Sequence, residues 1–229
     1  MFMGHYGPAV WDTQRGKGDV LVPLWVGFLA VQFIDVIWAC LTIFGIEGGV
    51  RMTESVPLSN IPYSHSLITA LFWSALGAVL FKIFRPNAGA KGFWVIFALV
   101  FSHWVLDLLV HRPDLPLWPG SSIELGLSGW NCPIHAFVVE IGLLLAAFVY
   151  WLRVTTGPKS SVFALSGLFI FMVVIQFVFV TTPGLHVQAG TFDPDAGLQG
   201  AALGTSALAT YGILTAAIAW IENRRAPKL

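Results

Sequence analysis

The chain has 229 residues, of which 56% are hydrophobic and only 10% are charged, and its formal net charge is zero. A soluble domain of this size usually carries about 25% charged residues. This composition excludes a disordered chain, an ordinary cytosolic enzyme and a nucleic-acid binder with a basic stripe. We therefore expect an all-α, polytopic membrane protein whose main partner is membrane lipid, with no nucleic acid bound.

The N-terminal segment Met1–Trp11 is mostly apolar but too short to cross a bilayer. No basic residues precede it, so it lacks the pattern of a secretory signal peptide. We predict that it forms a short helix that either re-enters the membrane or lies along the membrane surface.

Six later runs are long and apolar enough to be transmembrane helices, and they form one domain over residues 1–229. The predicted spans are Leu21–Phe44, Ser66–Ile83, Gly92–Val110, Pro133–Val154, Ser161–Thr181 and Ala201–Ile221. Lys and Arg are concentrated in the N-terminal segment (Arg15 and Lys17), in the second and fourth loops and in the tail. The positive-inside rule therefore predicts that both termini face the cytoplasm.

Three acidic residues lie well inside predicted spans, whereas no Lys or Arg does: Asp35, Asp107 and Glu140. A charge at bilayer depth costs about 2.5–3.5 kcal/mol on insertion scales, so these acids need protons or a metal ion as counter-charge. His65 and His103 are placed in the same layer, and neutral imidazoles are metal ligands. The alternative is that each acid is hydrogen-bonded to a neighbour, and Gln32 is the candidate beside Asp35.

The third span carries the clearest ligand pattern. His103 and Asp107 are four residues apart and share one helix face, and His111 continues that face by another four residues. The number of residues between each side chain and the outer end of its span predicts a depth of about 10–14 Å for Asp35, His103 and Glu140. These residues are thus expected in the outer half of the bilayer. His5 is either a ligand that approaches from the inner side or an interfacial histidine.

Four sequence motifs resemble the bacterial inner-membrane family of metal-dependent hydrolases. They are Gly4-His5-Tyr6, Phe33-Ile34-Asp35, Pro62-Tyr-Ser-His-Ser-Leu67 and the long motif from Ser102 to Pro116. The resemblance covers Met1 to about Glu140. It implies a location in the bacterial inner membrane and a distant relation to zinc-dependent phospholipases C and P1-type nucleases.

In those soluble enzymes the zinc ligands follow a fixed order of His, Asp, His, His-x-x-x-Asp, His and His-x-x-x-Glu. His5, Asp35, His65, His103 with Asp107, and His111 follow the first part of that order. The last pair departs from it, because His135 and Glu140 are five residues apart. The resemblance thus implies one or two divalent ions of the zinc type. The candidate ligands are His5, Asp35, His65, His103, Asp107, His111 and Glu140.

The expected activity is hydrolysis of a phosphoester in a lipid or lipid-linked substrate, and the resemblance assigns the water-activating base to Asp35. Arg112 would hold a phosphate or be an ordinary interfacial arginine. A non-enzymatic ion or metal transporter and an accessory subunit of a larger membrane complex stay as alternatives. Cys40 and Cys132 would either pair or be free thiols.

Overall fold

The computed structural model describes residues 1–12, 21–53, 56–196 and 198–228. The basic residues Arg15 and Lys17, used above for orientation, lie outside this part of the chain. The helices are α1 Tyr6–Asp12, α2 Leu24–Val31, α3 Phe33–Ile43, α4 Pro62–His65, α5 Leu67–Phe84, α6 Gly89–Val110, α7 Pro133–Val154, α8 Lys159–Gln176, α9 Thr182–Gln188 and α10 Gly200–Glu222. Short strands pair antiparallel in three places: β1 Val50–Met52 with β2 Pro57–Ser59, β3 Leu115–Pro116 with β4 Glu124–Leu125, and β5 Thr155–Thr156 with β6 Ala226–Pro227 near the end of the chain.

The all-α membrane fold is confirmed in the described residues, with one correction to the first span. Five helical segments are long and apolar enough to cross a membrane: Leu67–Phe84, Pro86–Val110, Pro133–Val154, Lys159–Gln188 and Gly200–Glu222. The first predicted span is not one continuous helix, because α2 and α3 meet at Gln32 with a bend of 51°. Counted as one broken span, the pair gives the sixth crossing.

The fifth span is longer than predicted, because Pro183 does not end it. A π-helical turn over Phe177–Thr181 joins α8 to α9, and Pro183 lies in the first turn of α9. Proline lacks an N–H and crowds the preceding turn, and a local π-helical turn is one way in which a helix accommodates such a break. The irregular turn places Phe179 and Val180 beside the cavity described below.

The N-terminal segment lies inside the helical bundle. A 3₁₀ turn at Met3–His5 leads into α1, which packs against α2, α6 and α7. Met3, His5 and Tyr6 have no solvent-exposed surface. This burial fits the re-entrant alternative and not a helix along the membrane surface.

Different parts of the chain meet at the two ends of the bundle. The loops after the first, third and fifth spans meet at one end, where they contribute Gly48, Trp130 and Phe192 to a common cavity. At the other end, β6 of the tail pairs with β5, and Arg225 donates hydrogen bonds to Thr155 and Ser161. Partial burial lowers the pKa of the Arg225 guanidinium.

Close helix contact fixes the position of α10 against the broken span. A Cβ atom added to Gly204 would lie 2.5 Å from the backbone oxygen of Ala39, so only glycine fits there. Small residues at such crossings let membrane helices approach closely. Because α10 packs on α3 in this way, Tyr211 of α10 reaches the polar interior of the bundle.

Candidate metal centre

Four ligand atoms from three parts of the chain face one another in the bundle interior. His65 Nε2 lies 3.3 Å from Asp35 Oδ1 and 3.5 Å from Asp107 Oδ2. His103 Nε2 lies 3.5 Å from Asp35 Oδ1 and 3.2 Å from Asp107 Oδ2. We call these four residues the primary group. The structure therefore brings together four of the seven candidate ligands named from the sequence.

Local structure explains why these side chains converge. Asp35 lies in the first turn of α3, directly after the break at Gln32. His65 ends the short helix α4, and the chain then turns at Ser66 into α5. His103 and Asp107 lie one turn apart on the buried face of α6. The predicted helical spacing of this pair is thus confirmed.

The hydrogen bonds of His103 define which of its ring nitrogens carries the proton. Its Nδ1 lies 2.6 Å from the backbone oxygen of Val31, an acceptor, so Nδ1–H is the donor. Val31 ends α2, and the last carbonyls of a helix have no intrahelical partner, so this oxygen is available. In the neutral ring, Nε2 then presents a lone pair to two carboxylate oxygens. A buried acceptor that faces acceptors requires a cation or a proton between them.

The distances in the primary group are longer than those of typical hydrogen bonds. They span 3.2–3.5 Å, whereas an N–H···O bond is usually about 2.9–3.0 Å long. His103 Nε2 is also buried without a hydrogen-bond partner in the described residues. Carboxylate oxygens and imidazole nitrogens are ligand types for divalent ions such as zinc, so the chemistry of this donor set is compatible with such an ion.

A second group lies on the other oxygen of Asp107. His5 Nε2 is 3.2 Å from Asp107 Oδ1, and His111 Nε2 is 3.7 Å from the same oxygen. The rings of His5 and His103 are stacked, with their centroids 3.7 Å apart. Asp107 thus joins the primary group, through Oδ2, to this second group, through Oδ1. Asp107 could therefore contribute to holding a divalent ion in either group.

The amino group of Met1 also contacts Asp107 Oδ1, and both groups are almost fully buried. The three acids Asp35, Asp107 and Glu140 have no Lys or Arg side chain paired with them in the described residues, and buried carboxylates without such a partner are costly.

Glu140 contacts the backbone of the N-terminal segment. Its Oε2 accepts hydrogen bonds from the backbone N–H groups of Phe2, at 2.8 Å, and Gly4, at 3.2 Å. Glu140 is outside the two ligand clusters found among the described residues, and its Oε2 helps to hold the N-terminal segment in the bundle. Its Oε1 is buried without a hydrogen-bond partner there, so its role as a ligand stays a prediction. Gln32 is likewise not the partner of Asp35, because its amide donates to the backbone oxygen of Phe2.

Three buried contacts orient the candidate ligands, and the sequence analysis assigned none of them. His111 Nδ1 lies 2.8 Å from Asp114 Oδ1, a carboxylate–imidazole pair of the kind that orients metal-bound histidines. Asp114 is three residues after His111, so this spacing was available as a signal. Tyr211 donates to Asp35 Oδ2 at 2.9 Å, but no local motif marks Tyr211. Glu47 accepts from the backbone N–H of Ser64 and so fixes the start of α4.

A cavity of about 460 Å³ lies over the ligand cluster. Asp35, His65, Asp107 and His111 line it, whereas most of its other lining residues, such as Trp38 and Phe179, are apolar. Its walls come from the three loops at this end of the bundle, the π-helical turn and α10. The candidate ligands are therefore accessible from one side, through a mainly apolar space.

Arg112 is buried rather than interfacial, with 8% of its surface exposed. Its Nε donates to Asn131 Oδ1 at 2.9 Å. Burial lowers the pKa of the Arg112 guanidinium, and the charge of Asp114 acts in the opposite direction. Cys40 and Cys132 are free thiols.

Residues 56–183, more than half of the chain, match the family described as YdjM inner membrane protein. The chain belongs to the YdjM family. The match includes His65, His103, Asp107 and His111, whereas His5, Asp35 and Tyr211 lie outside the matched residues. Family membership and the apolar helices together identify an inner-membrane protein. No curated protein and no solved structure matches the chain.

Proposed function

We propose that this YdjM-family protein is a membrane-embedded, metal-dependent hydrolase that cleaves a phosphoester in a lipid or lipid-linked substrate. One observation carries the proposal: two carboxylates and two imidazoles of the primary group face one another, and Asp35, His65 and Asp107 of this group line a mainly apolar cavity. Buried acids and histidines inside membrane spans are costly, and such residues commonly serve a function.

The primary group, Asp35, His65, His103 and Asp107, would hold the first ion. His5 and His111, with the other oxygen of Asp107, would hold a second. A zinc ion at these ligands supplies a water of lowered pKa and polarises the phosphoryl oxygen. Val31 and Asp114 support this role, because they fix the ring orientations of His103 and His111.

Asp35 is the better placed of the two carboxylates to accept a proton from water. Its side chain is 13% exposed, against 2% for Asp107, and it lines the cavity. The hydroxyl of Tyr211 donates to Asp35 Oδ2 and so orients the carboxylate. In the hydrolysis the water oxygen bonds to phosphorus, the P–O ester bond breaks, and the leaving alcohol takes up a proton.

The surroundings of the cluster favour an enzyme over a transporter. A transport path needs polar groups on both sides of the site. In the half of α6 before the cluster, the described buried residues are apolar or glycine: Gly92, Val95, Ile96, Leu99 and Val100. The corresponding half of α7 buries Leu144, Ala147, Phe148 and Trp151. A site that opens to one side suits an enzyme, because the substrate can enter and the products can leave through the same opening.

The purified protein should hydrolyse a lipid phosphoester, and a chelator should abolish this activity. Dioctanoyl phosphatidic acid and dioctanoyl phosphatidylcholine in detergent micelles are suitable probes, because ³¹P NMR resolves their phosphate-containing products. We expect activity to return when zinc is added after chelation, because the ligands remain in place. Turnover that is unaffected by chelation, or no turnover of either probe by the metal-loaded protein, would contradict the proposal.

A further inference from the structure

A second, smaller cavity of about 190 Å³ lies beside the cavity over the metal centre. Trp130, Phe179, Val180 and Phe192 line both cavities and form a shared wall. The smaller cavity is otherwise lined mainly by apolar residues, but Arg112 and Gln176 also contribute to it. The guanidinium charge of Arg112 lies among apolar residues, where it is costly unless an acceptor or an opposite charge pairs with it.

Arg112 has few partners for its five N–H donors. Within the described residues its one hydrogen bond is from Nε to Asn131, and it forms no ion pair. The charge of Asp114 acts on the guanidinium, but the Asp114 oxygens contact His111 Nδ1 and the backbone N–H of Ser59. Within the described part of the chain, the terminal amino groups of Arg112 have no hydrogen-bond acceptor.

Two more donors in the lining of the small cavity lack acceptors. Gln176 is 1% exposed, and its Oε1 accepts from the backbone N–H of Met3, which identifies Nε2 as the donor. Neither Gln176 Nε2 nor Trp130 Nε1 has a hydrogen-bond partner in the described part of the chain. Each of these two buried, unsatisfied donors costs about 1–3 kcal/mol, so an acceptor that reached them would be favoured.

The small cavity has no acidic residue in its described lining. A positively charged guanidinium, a carboxamide N–H and an indole N–H form a set of donors that matches an oxyanion. The site also adjoins the metal centre, because the rings of Trp130 and His111 are in contact, with centroids 4.4 Å apart. An anionic group held here would lie beside the apolar cavity, which has room for an acyl chain.

We propose that Arg112, Gln176 and Trp130 form a phosphate-binding subsite that holds the anionic head group of an amphiphilic substrate. Arg112 supplies the charge, Gln176 and Trp130 supply neutral donors, and the adjoining cavity accepts the apolar part. One part of this inference rests on the proposed function, namely that the bound phosphate belongs to a substrate. Binding of the phosphate requires no turnover.

Calorimetric titration tests this subsite with two probes, inorganic phosphate and dioctanoyl phosphatidic acid. The full chain is titrated in detergent, both as purified and after chelation, and the chelated arm excludes phosphate bound to metal. We expect phosphatidic acid to bind at least about tenfold more tightly than inorganic phosphate, because it also fills the apolar cavity. Equal affinities would assign the subsite to free phosphate and overturn the assignment to a lipid head group.

Arg112→Gln should weaken the binding of phosphatidic acid at least about tenfold in both arms. Gln176→Glu should weaken it as much, because it keeps the acceptor for Met3 but adds a negative charge to the cavity. Arg85→Gln, at an exposed arginine outside both cavities, is the matched control and should bind as the wild type does. If monodisperse Arg112→Gln and Gln176→Glu proteins keep wild-type affinity after chelation, the subsite does not exist. That result would leave the hydrolase proposal intact.

Discussion

Asp107→Asn should remove the bound metal from both ligand groups. Asp107 is the residue that faces both groups, with Oδ2 toward His65 and His103 and Oδ1 toward His5. Loss of an orienting contact alone typically costs 10–100-fold in metal affinity, and loss of a shared ligand should cost more. Elemental analysis of the purified variant should give less than about a tenth of the wild-type metal content.

The substitution also weakens the contact with the ammonium group of Met1, so its effect on folding needs a control. Asparagine is chosen because it keeps the size of the side chain. Asp195→Asn, at an exposed carboxylate, should retain the full metal content. A monodisperse, thermally stable Asp107→Asn protein with wild-type metal content would contradict the assignment of Asp107 as the shared ligand.

Asp35→Asn should lower kcat for the lipid phosphoester by at least about 100-fold, the usual contribution of a general base. The asparagine amide cannot take a proton from water, whereas its oxygen can still face His65 and His103. We therefore expect most of the metal to be retained, and both kcat and metal content should be measured on the same preparation.

Tyr211→Phe is the matched variant for the orienting role. It removes the hydrogen bond to Asp35 Oδ2 but leaves the carboxylate, so the loss of kcat should be smaller, about tenfold. An Asp35→Asn protein that keeps kcat within a few-fold of the wild type would overturn the assignment of Asp35 as base. An Asp35→Asn protein that loses its metal together with kcat would show that the loss of activity follows from the loss of a ligand, and would overturn the assignment of Asp35 as base.

The sequence predicted those parts of the molecule that depend on local pattern. The apolar runs located the spans, and the four-residue spacing of His103 and Asp107 placed both side chains on one face of α6. The grouping of Asp35 with His65 followed from their similar depth in the bilayer. These properties depend only on helix geometry and on the cost of a buried charge.

Other features depend on contacts between distant segments and were not predictable in this way. The break at Gln32 has no proline or glycine to mark it, and the apolar run continues through it. Tyr211 reaches Asp35 only because α10 packs closely on α3. The contacts of Glu140 Oε2 with the backbone N–H groups of Phe2 and Gly4 join segments that are far apart in the chain, so they were not predicted either.

The central claim is that the buried carboxylates and imidazoles of this YdjM-family protein bind metal. The most direct test is elemental analysis of the wild-type protein, purified in detergent without chelators and without added metal. We predict one or two equivalents of a divalent ion, zinc foremost, per chain, and removal of the ion by a chelator. A folded protein with no stoichiometric metal, which also takes up none when zinc is added, would contradict the account.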